Sequence, residues 1–326
     1  MLDEKYSEVL RLKAEPESMN QQLKGLRVAV TGARGRYAPI VAESLRRKGA
    51  VVKTFSQKEG GEHQGLDGLL DPSRLSLFDA VLHFGWGTVP KVAEEKQGAE
   101  WQKDLPYISK LLQALGRLPE MQRPLLVFPS TGAVYGECGK QPAVEDTVVA
   151  PKSYYAAGKV AAEELLQQYS AHGLGKVAIL RISNLYGAQG ASKVPQGVIA
   201  KLAECFYKNT EPTLWGDGTA TKDYLHVDDF CVAVSRVLEG RLEGVWNLCT
   251  GRSHSVLEVL SVFSSHLEWH PDCEFLAHPS WDVEKTNLSP QKLVTSTGWR
   301  PKVVLEQGIR DFLAASAGLH QKAKAD

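Results

Sequence analysis

Tyr155 and Lys159 stand four residues apart in S-Y-Y-A-A-G-K, the segment from Ser153 to Lys159. On a helix that spacing puts a phenol and an ammonium on one face. A free tyrosine titrates near ~10 and is a poor base at neutral pH. A fixed positive charge beside it favours the phenolate and lowers that value. The pair can therefore exchange a proton with a substrate hydroxyl. Tyr and Lys at this spacing also occur on solvated helices. The chemistry needs a hydride acceptor and a third polar group from elsewhere in the chain.

The acceptor's cradle is read near the start. L-R-V-A-V-T, Leu26 to Thr31, has the pattern of a buried strand. It runs into G-A-R-G-R-Y-A, where Gly32, Gly35 and Ala38 recur at three-residue intervals, and an amphipathic helix from Ile40 to Lys48 follows, ended by Gly49. A strand, a glycine turn and a helix N-terminus present backbone N–H groups and the helix dipole to a pyrophosphate. The flanking elements make this a dinucleotide site rather than a bare glycine pattern. After the second strand, Ala50 to Ser56, an NAD site usually carries an Asp or Glu for the ribose. Here the residues are Ser56, Gln57 and Lys58. No carboxylate opposes a 2′-phosphate, and Arg34, Arg36 and Lys58 attract one. The cofactor is read as NAD or NADP, with a lean to NADP.

Further strands are read at Asp79 to Trp86, 125–130 and 176–182, with helices over 105–115 and from Tyr155 to about His172. The alternation predicts an α/β fold, a Rossmann doubly wound parallel sheet with a smaller C-terminal substrate-binding lobe. Ligands should sit beyond the carboxyl ends of the strands, where Thr31, Phe84, Thr131 and Asn184 stand. After Gly187 shorter elements are punctuated by Pro, Gly and Trp. The expected organisation is a helical appendage over 1–24, an NAD(P)-binding domain over 25–187 and a mainly substrate-binding lobe over 188–326, interleaved with late elements of the main sheet. Leu2, Tyr6, Val9 and Leu10 form a helical stripe in the appendage. Asp228 and Asp229, just before F-C-V-A-V, are read as a helix N-cap.

Lys and Arg balance Asp and Glu at 38 each, which points to neither nucleic acid nor an anionic membrane as partner. No apolar run approaches the ~18 residues of a membrane span. The N-terminus lacks a signal-peptide core, so a cytoplasmic location is expected. The five cysteines never form C-x-x-C and are read as free thiols. His266, His270 and Cys273 have metal-like spacing, but Pro271 breaks the helix and no fourth ligand is evident, so no metal is expected.

The motifs T-G-x-x-G-x-x-A, V-L-H-F, S-T-G-A-V-Y-G, Y-x-x-x-K, R-I-S-N-L-Y-G, G-D-G-x-x-x-K-D-Y-L-H-V-D-D and W-N-L-C-T-G run in order between about Leu26 and Leu313. Together they resemble the extended short-chain dehydrogenase/reductases, and within them the sugar-nucleotide epimerases of the UDP-glucose 4-epimerase type. The resemblance implies that Thr131, Tyr155 and Lys159 are catalytic, with Lys159 also on the nicotinamide ribose. It implies that Gly32, Gly35, Arg36 and Tyr37 form the pyrophosphate turn, that Phe84, Gly85 and Trp86 line the cofactor, that Leu69 lies on the adenine side and that Ile182 lies at the nicotinamide end. Asn184 is implied to touch the sugar nucleotide, and Leu214 and Trp215 its base.

The implied reaction is transient oxidation of a sugar hydroxyl to a ketone, with hydride return to the other face. The related dehydratases and decarboxylases carry an acidic residue where this chain has Ala133, which disfavours dehydration. Three positions depart from the family pattern. Lys222 replaces an arginine, a second phosphate-clamping arginine falls near His278 or Pro279, and Asp104 replaces an asparagine. An NADPH-dependent reductase of a ketosugar or related metabolite is the alternative, and a non-catalytic cofactor sensor a lesser one. The implied partner is a small molecule, a nucleotide sugar. A homodimer through the helices at 105–115 and 155–169 is implied by the same resemblance.

Overall fold

The computed structural model describes residues 23–58, 60–188 and 196–323. The predicted stripe Leu2, Tyr6, Val9 and Leu10 lies outside the described residues. The first half alternates as expected: β1 (Arg27–Thr31), α1 (Ala38–Arg47), β2 (Val51–Ser56), β3 (His63–Gly65), a short α2 (Pro72–Leu75), β4 (Ala80–His83), α3 (Pro90–Glu95), α4 (Ala99–Gly116), β5 (Leu125–Thr131), α5 (Tyr154–Ala171) and β6 (Val177–Ile182). The rest adds β7 (Asn184–Tyr186), α6 (Val198–Lys208), β8 (Thr213–Trp215), β9 (Thr221–His226), α7 (Val227–Glu239), β10 (Gly244–Leu248), β11 (Ser253–Ser255), α8 (Val256–Leu267), β12 (Glu274–Leu276), α9 (Gln291–Thr297) and α10 (Leu305–Ala323).

Seven strands form one sheet in the order β10-β6-β5-β4-β1-β2-β3, with every pairing parallel. Chain order reverses between β1 and β4, which puts the ligand crevice at their carboxyl ends. The strands read as continuous apolar runs because helices cover both faces. Alternation within each strand divides the core. Val28, Val30, Val127 and Leu180 point to α1 and α7. Ala29, Leu126, Phe128 and Ile179 point to α4 and α5. A third cluster joins Tyr186, Leu202, Leu214, Phe263 and Ile309 in the C-terminal part of the chain. Four cysteines are buried and Cys273 is half-buried, all as free thiols.

Two local expectations change. The strand after Asp79 ends at His83, not Trp86. The chain leaves the sheet there because the Gly85 N–H is taken by the Thr31 hydroxyl. The cap of α7 is His226, whose Nδ1 accepts the Asp228 N–H. Asp229 instead accepts the N–H groups of Lys302 and Val303, at 2.9 and 2.8 Å, and so ties the late G-W-R-P segment to α7.

The helix carrying Tyr155 is fixed to the sheet by a buried polar network. Glu163 on α5 pairs with Arg181 on β6 at 2.8 Å and accepts the hydroxyl of Ser130 on β5. Arg181 also donates to Tyr135 and to the Glu145 carbonyl, and the Tyr135 hydroxyl continues to Asn247 on β10. Breaking a buried pair by removing one partner strands the other charge. Glu163→Ala should therefore cost about 3–5 kcal/mol of unfolding free energy, read by urea denaturation.

Candidate active site

Register builds the floor of the site. Thr131 ends β5 and aligns with Ile182 on β6, which aligns with Leu248 on β10. Past Thr131 the chain turns at once, and the threonine Oγ1 accepts the Ala133 N–H at 3.2 Å. Across from this end, α5 begins. Ser153 caps it by accepting the Ala156 N–H at 3.0 Å, and Glu94 of α3 accepts the Tyr154 N–H at 2.7 Å. Tyr155 thus falls in the first turn and Lys159 one turn on.

Lys159 is almost fully buried. Its ammonium donates to the Pro129 carbonyl at 2.8 Å. It stands 4.0 Å from the centre of the Trp86 ring and 4.5 Å from that of Phe128, but 5.9 Å from that of Tyr155. Burial pulls its pKa down to about 7, while Asp104 and Glu163 resist the fall. The expectation that Lys159 lowers the Tyr155 pKa does not hold. Burial foremost, then the carboxyls of Asp104 and Glu100 and the phenol of Tyr37, push the Tyr155 phenol above its ordinary value. The ammonium is turned to indole, phenyl and carbonyl rather than to the phenol.

The glycine turn is built as a cradle. Gly32 has φ +73°, and a Cβ there would lie 2.6 Å from the Phe84 carbonyl oxygen. The turn closes through the Gly35 N–H to the Gly32 carbonyl at 2.7 Å. Thr31 Oγ1 meets His83 Nδ1 at 2.9 Å, so both sides of the crevice are tied beneath it. Burial drives the His83 pKa down to about 3, so its imidazole is neutral. Tyr37 reaches across to donate to the Leu185 carbonyl. With no side chain at Gly32 or Gly35, a turn that opens a helix fits the close approach of a dinucleotide pyrophosphate, and Gly32 packs against the backbone of Phe84 and Gly85.

Other predicted residues are used differently. Arg34 donates to the carbonyls of Lys58 and Gly60, each at 3.3 Å, and the Ser56 hydroxyl donates to the Lys58 carbonyl. Those side chains brace the loop after β2, so the lean to NADP finds no support. Leu69 and Leu214 have side chains spent in apolar clusters. Trp215 is 41% exposed and meets Trp281 edge to face. Asn184 is exposed and donates to the Asp223 carbonyl at 3.2 Å. Lys222 is held by the Asp282 carboxylate at 3.2 Å and by the Val283 carbonyl. His278 approaches the same carboxylate at 3.3 Å. Structure thus gathers Trp215, Lys222, His278, Trp281 and Asp282, which are scattered over 215–282 in the chain.

Sequence reasoning missed Asp223, whose carboxylate takes the N–H groups of Thr250, Gly251 and Arg252 and so shapes the T-G-R turn. It also missed Glu100, one turn before Asp104 on α4. The available signal was the small Gly158 on the facing helix. Among the described residues no group of three metal-capable side chains forms, and no helix is long and apolar enough to cross a membrane.

The family model described as the NAD dependent epimerase/dehydratase family matches residues 28–249. The chain belongs to that family. It is 31% identical over 181 residues to the UDP-glucose 4-epimerase of Mycolicibacterium smegmatis, covering 55% of this chain and 58% of that one. It is 29% identical over 251 residues to the dTDP-glucose 4,6-dehydratase of Xanthomonas campestris pv. campestris, covering 71% of this chain and 70% of that one. The chain thus spans under three fifths of the length of the first of these relatives. The crystal structure of the Thermus thermophilus UDP-glucose 4-epimerase in complex with NAD superposes with a TM-score of 0.78 at 31% identity, covering 90% of this chain and 99% of that one.

The depressed Lys159 pKa sets a sign. Unfolded, the group holds its proton up to about 10.5, whereas the folded protein releases it near 7. Its contribution to stability therefore rises with pH between those values. From pH 7 to 9, wild type should gain more unfolding free energy than Lys159→Met, measured by urea denaturation at both pH values.

Proposed function

We propose that the protein is an NAD-dependent epimerase of a nucleotide-linked sugar, with a UDP-hexose as its substrate class. The observation that carries the reading is the docking of the Tyr155 helix on the end of β5, where the Lys159 ammonium donates to the Pro129 carbonyl two residues before Thr131, with a methyl group at Ala133 where a dehydratase needs an acid. The relatives alone do not choose, since an epimerase and a 4,6-dehydratase match at nearly equal identity. Ala133 leaves no carboxyl at that point for the added proton transfers of dehydration.

A bound nicotinamide supplies the acceptor and donor of hydride. Gly32, Gly35 and Arg36 hold the pyrophosphate, with Phe84 and Trp86 along one side and Ile182 at the reacting end. NAD rather than NADP is favoured because Arg34 and Ser56 are engaged by backbone carbonyls. Tyr155 exchanges the proton of the sugar hydroxyl. Its buried phenol holds that proton firmly in the resting state. Thr131 orients the same oxygen. Trp215 and Asn184 face the rest of the nucleotide sugar. A homodimer through α4 and α5 accounts for Trp101 and Leu165, apolar side chains on those helices that are 52% and 40% exposed.

Incubation with UDP-glucose should yield its 4-epimer without net change of absorbance at 340 nm. Tyr155→Phe should lower turnover by roughly 10²–10⁴-fold with NAD binding retained by calorimetry. Stoichiometric NADPH consumption on a keto substrate would replace this reading with that of a reductase.

A further inference from the structure

Two carboxyls stand behind the Tyr155–Lys159 face that the chemistry above leaves unused. Glu100 and Asp104 lie one turn apart on α4 and are 0% and 4% exposed. Asp104 accepts the Gly87 N–H at 2.8 Å and the Thr88 hydroxyl at 3.0 Å. It therefore fastens the loop that carries Trp86, whose ring lies against the Lys159 ammonium. Neither carboxyl oxygen of Glu100 has a hydrogen-bond partner. The indole N–H of Trp86 is likewise buried without one.

These groups meet at Gly158, between Tyr155 and Lys159. A Cβ there would lie 2.8 Å from Glu100 Cγ and 3.5 Å from Trp86 Cζ2. The glycine is what lets the acid reach this helix. A buried carboxyl without a donor is expensive, and an apolar side chain of the same length would pack more cheaply. The acid is kept where α5 exposes its smallest residue to it, directly behind the reacting pair.

We propose that Asp104 and Glu100 are positioning residues that govern, from behind, the protonation of Tyr155 and Lys159. The proposal rests on the reading of Tyr155 as the proton-exchanging group. The titratable groups that bear on the phenol are Asp104 and Glu100 from α4 and Tyr37 from the cradle, while the Lys159 ammonium stands 5.9 Å from its ring centre and is turned away. The ammonium faces Asp104 from α4, Glu163 from its own helix and the neutral His83 from β4. Both α4 carboxyls raise the Tyr155 value, and Asp104 supports the Lys159 cation against burial. Asp104 acts on both members of the pair and Glu100 on the phenol.

The test uses the NAD-loaded protein with lysine labelled by ¹³C at Cε, the Lys159 signal being assigned by its loss in Lys159→Met. Asp104→Asn, which retains an acceptor for Gly87, should move the Lys159 midpoint down by on the order of one pH unit. Asp104→Asn and Glu100→Gln should both move the rising limb of the kcat–pH profile to lower pH. An unchanged midpoint with unchanged profiles overturns the proposal. A shifted midpoint in a protein that does not epimerise UDP-glucose supports the electrostatic role and sinks the reaction assigned above. Circular dichroism verifies the fold of each variant. If Asp104→Asn does not fold, Glu100→Gln decides by its profile, with the Gly87 and Thr88 contacts intact.

Discussion

The site depends on one buried ion pair. Glu163 and Arg181 meet at 2.8 Å with almost no exposure, and Ser130 joins them. Each member is a close chain neighbour of a site residue. Ser130 precedes Thr131, Arg181 precedes Ile182, and Glu163 lies one helical turn beyond Lys159. The pair therefore locks two strand ends and a helix into one arrangement. A buried pair adds little net stability compared with apolar packing, because desolvation offsets much of the attraction. Its effect here is geometric: α5 cannot slide or rotate on the sheet without separating charges in a dry interior.

The sheet and the chemical pair were legible because they follow local rules. Parallel strands covered on both faces must be apolar throughout, and β4 and β6 are fully buried. A glycine turn between strand and helix has few other uses. Tyr155 and Lys159 share a face by helical periodicity alone. What could not be read depends on direction and depth. Spacing put Lys159 near Tyr155, but whether attraction or desolvation governs the phenol depends on where the ammonium points. Arg34 had the right charge for a 2′-phosphate, yet the loop carbonyls of Lys58 and Gly60 claim it. Leu214 and Trp215 are adjacent, and strand alternation sends one into the core and the other outward.

The far side of the pocket shows the same limit. Lys222 in the sequence is a free cation near the expected phosphates. In the fold Asp282, sixty residues away, holds it, and His278 approaches the same carboxylate. No local pattern links these positions. They come together because β8 pairs with β12 and the chain then returns alongside β9. The cluster sets a carboxylate against its cation, unlike the all-cationic clamp that the family resemblance implies, and two indoles meet beside it.

His83 carries a consequence for how the protein answers acidity. Histidine is the side chain most apt to report a fall in pH. Here burial holds it neutral down to about 3, and its ring is stacked on Tyr107 and joined to Thr31. The seam between β1 and β4, which supports the cradle, is thereby made deaf to acid over the whole physiological span. Sensitivity is left to the opposite wall, where Lys159 titrates near neutrality. One wall of the crevice thus keeps its protonation constant while the other can gain or lose a proton, so the fold separates the two responses.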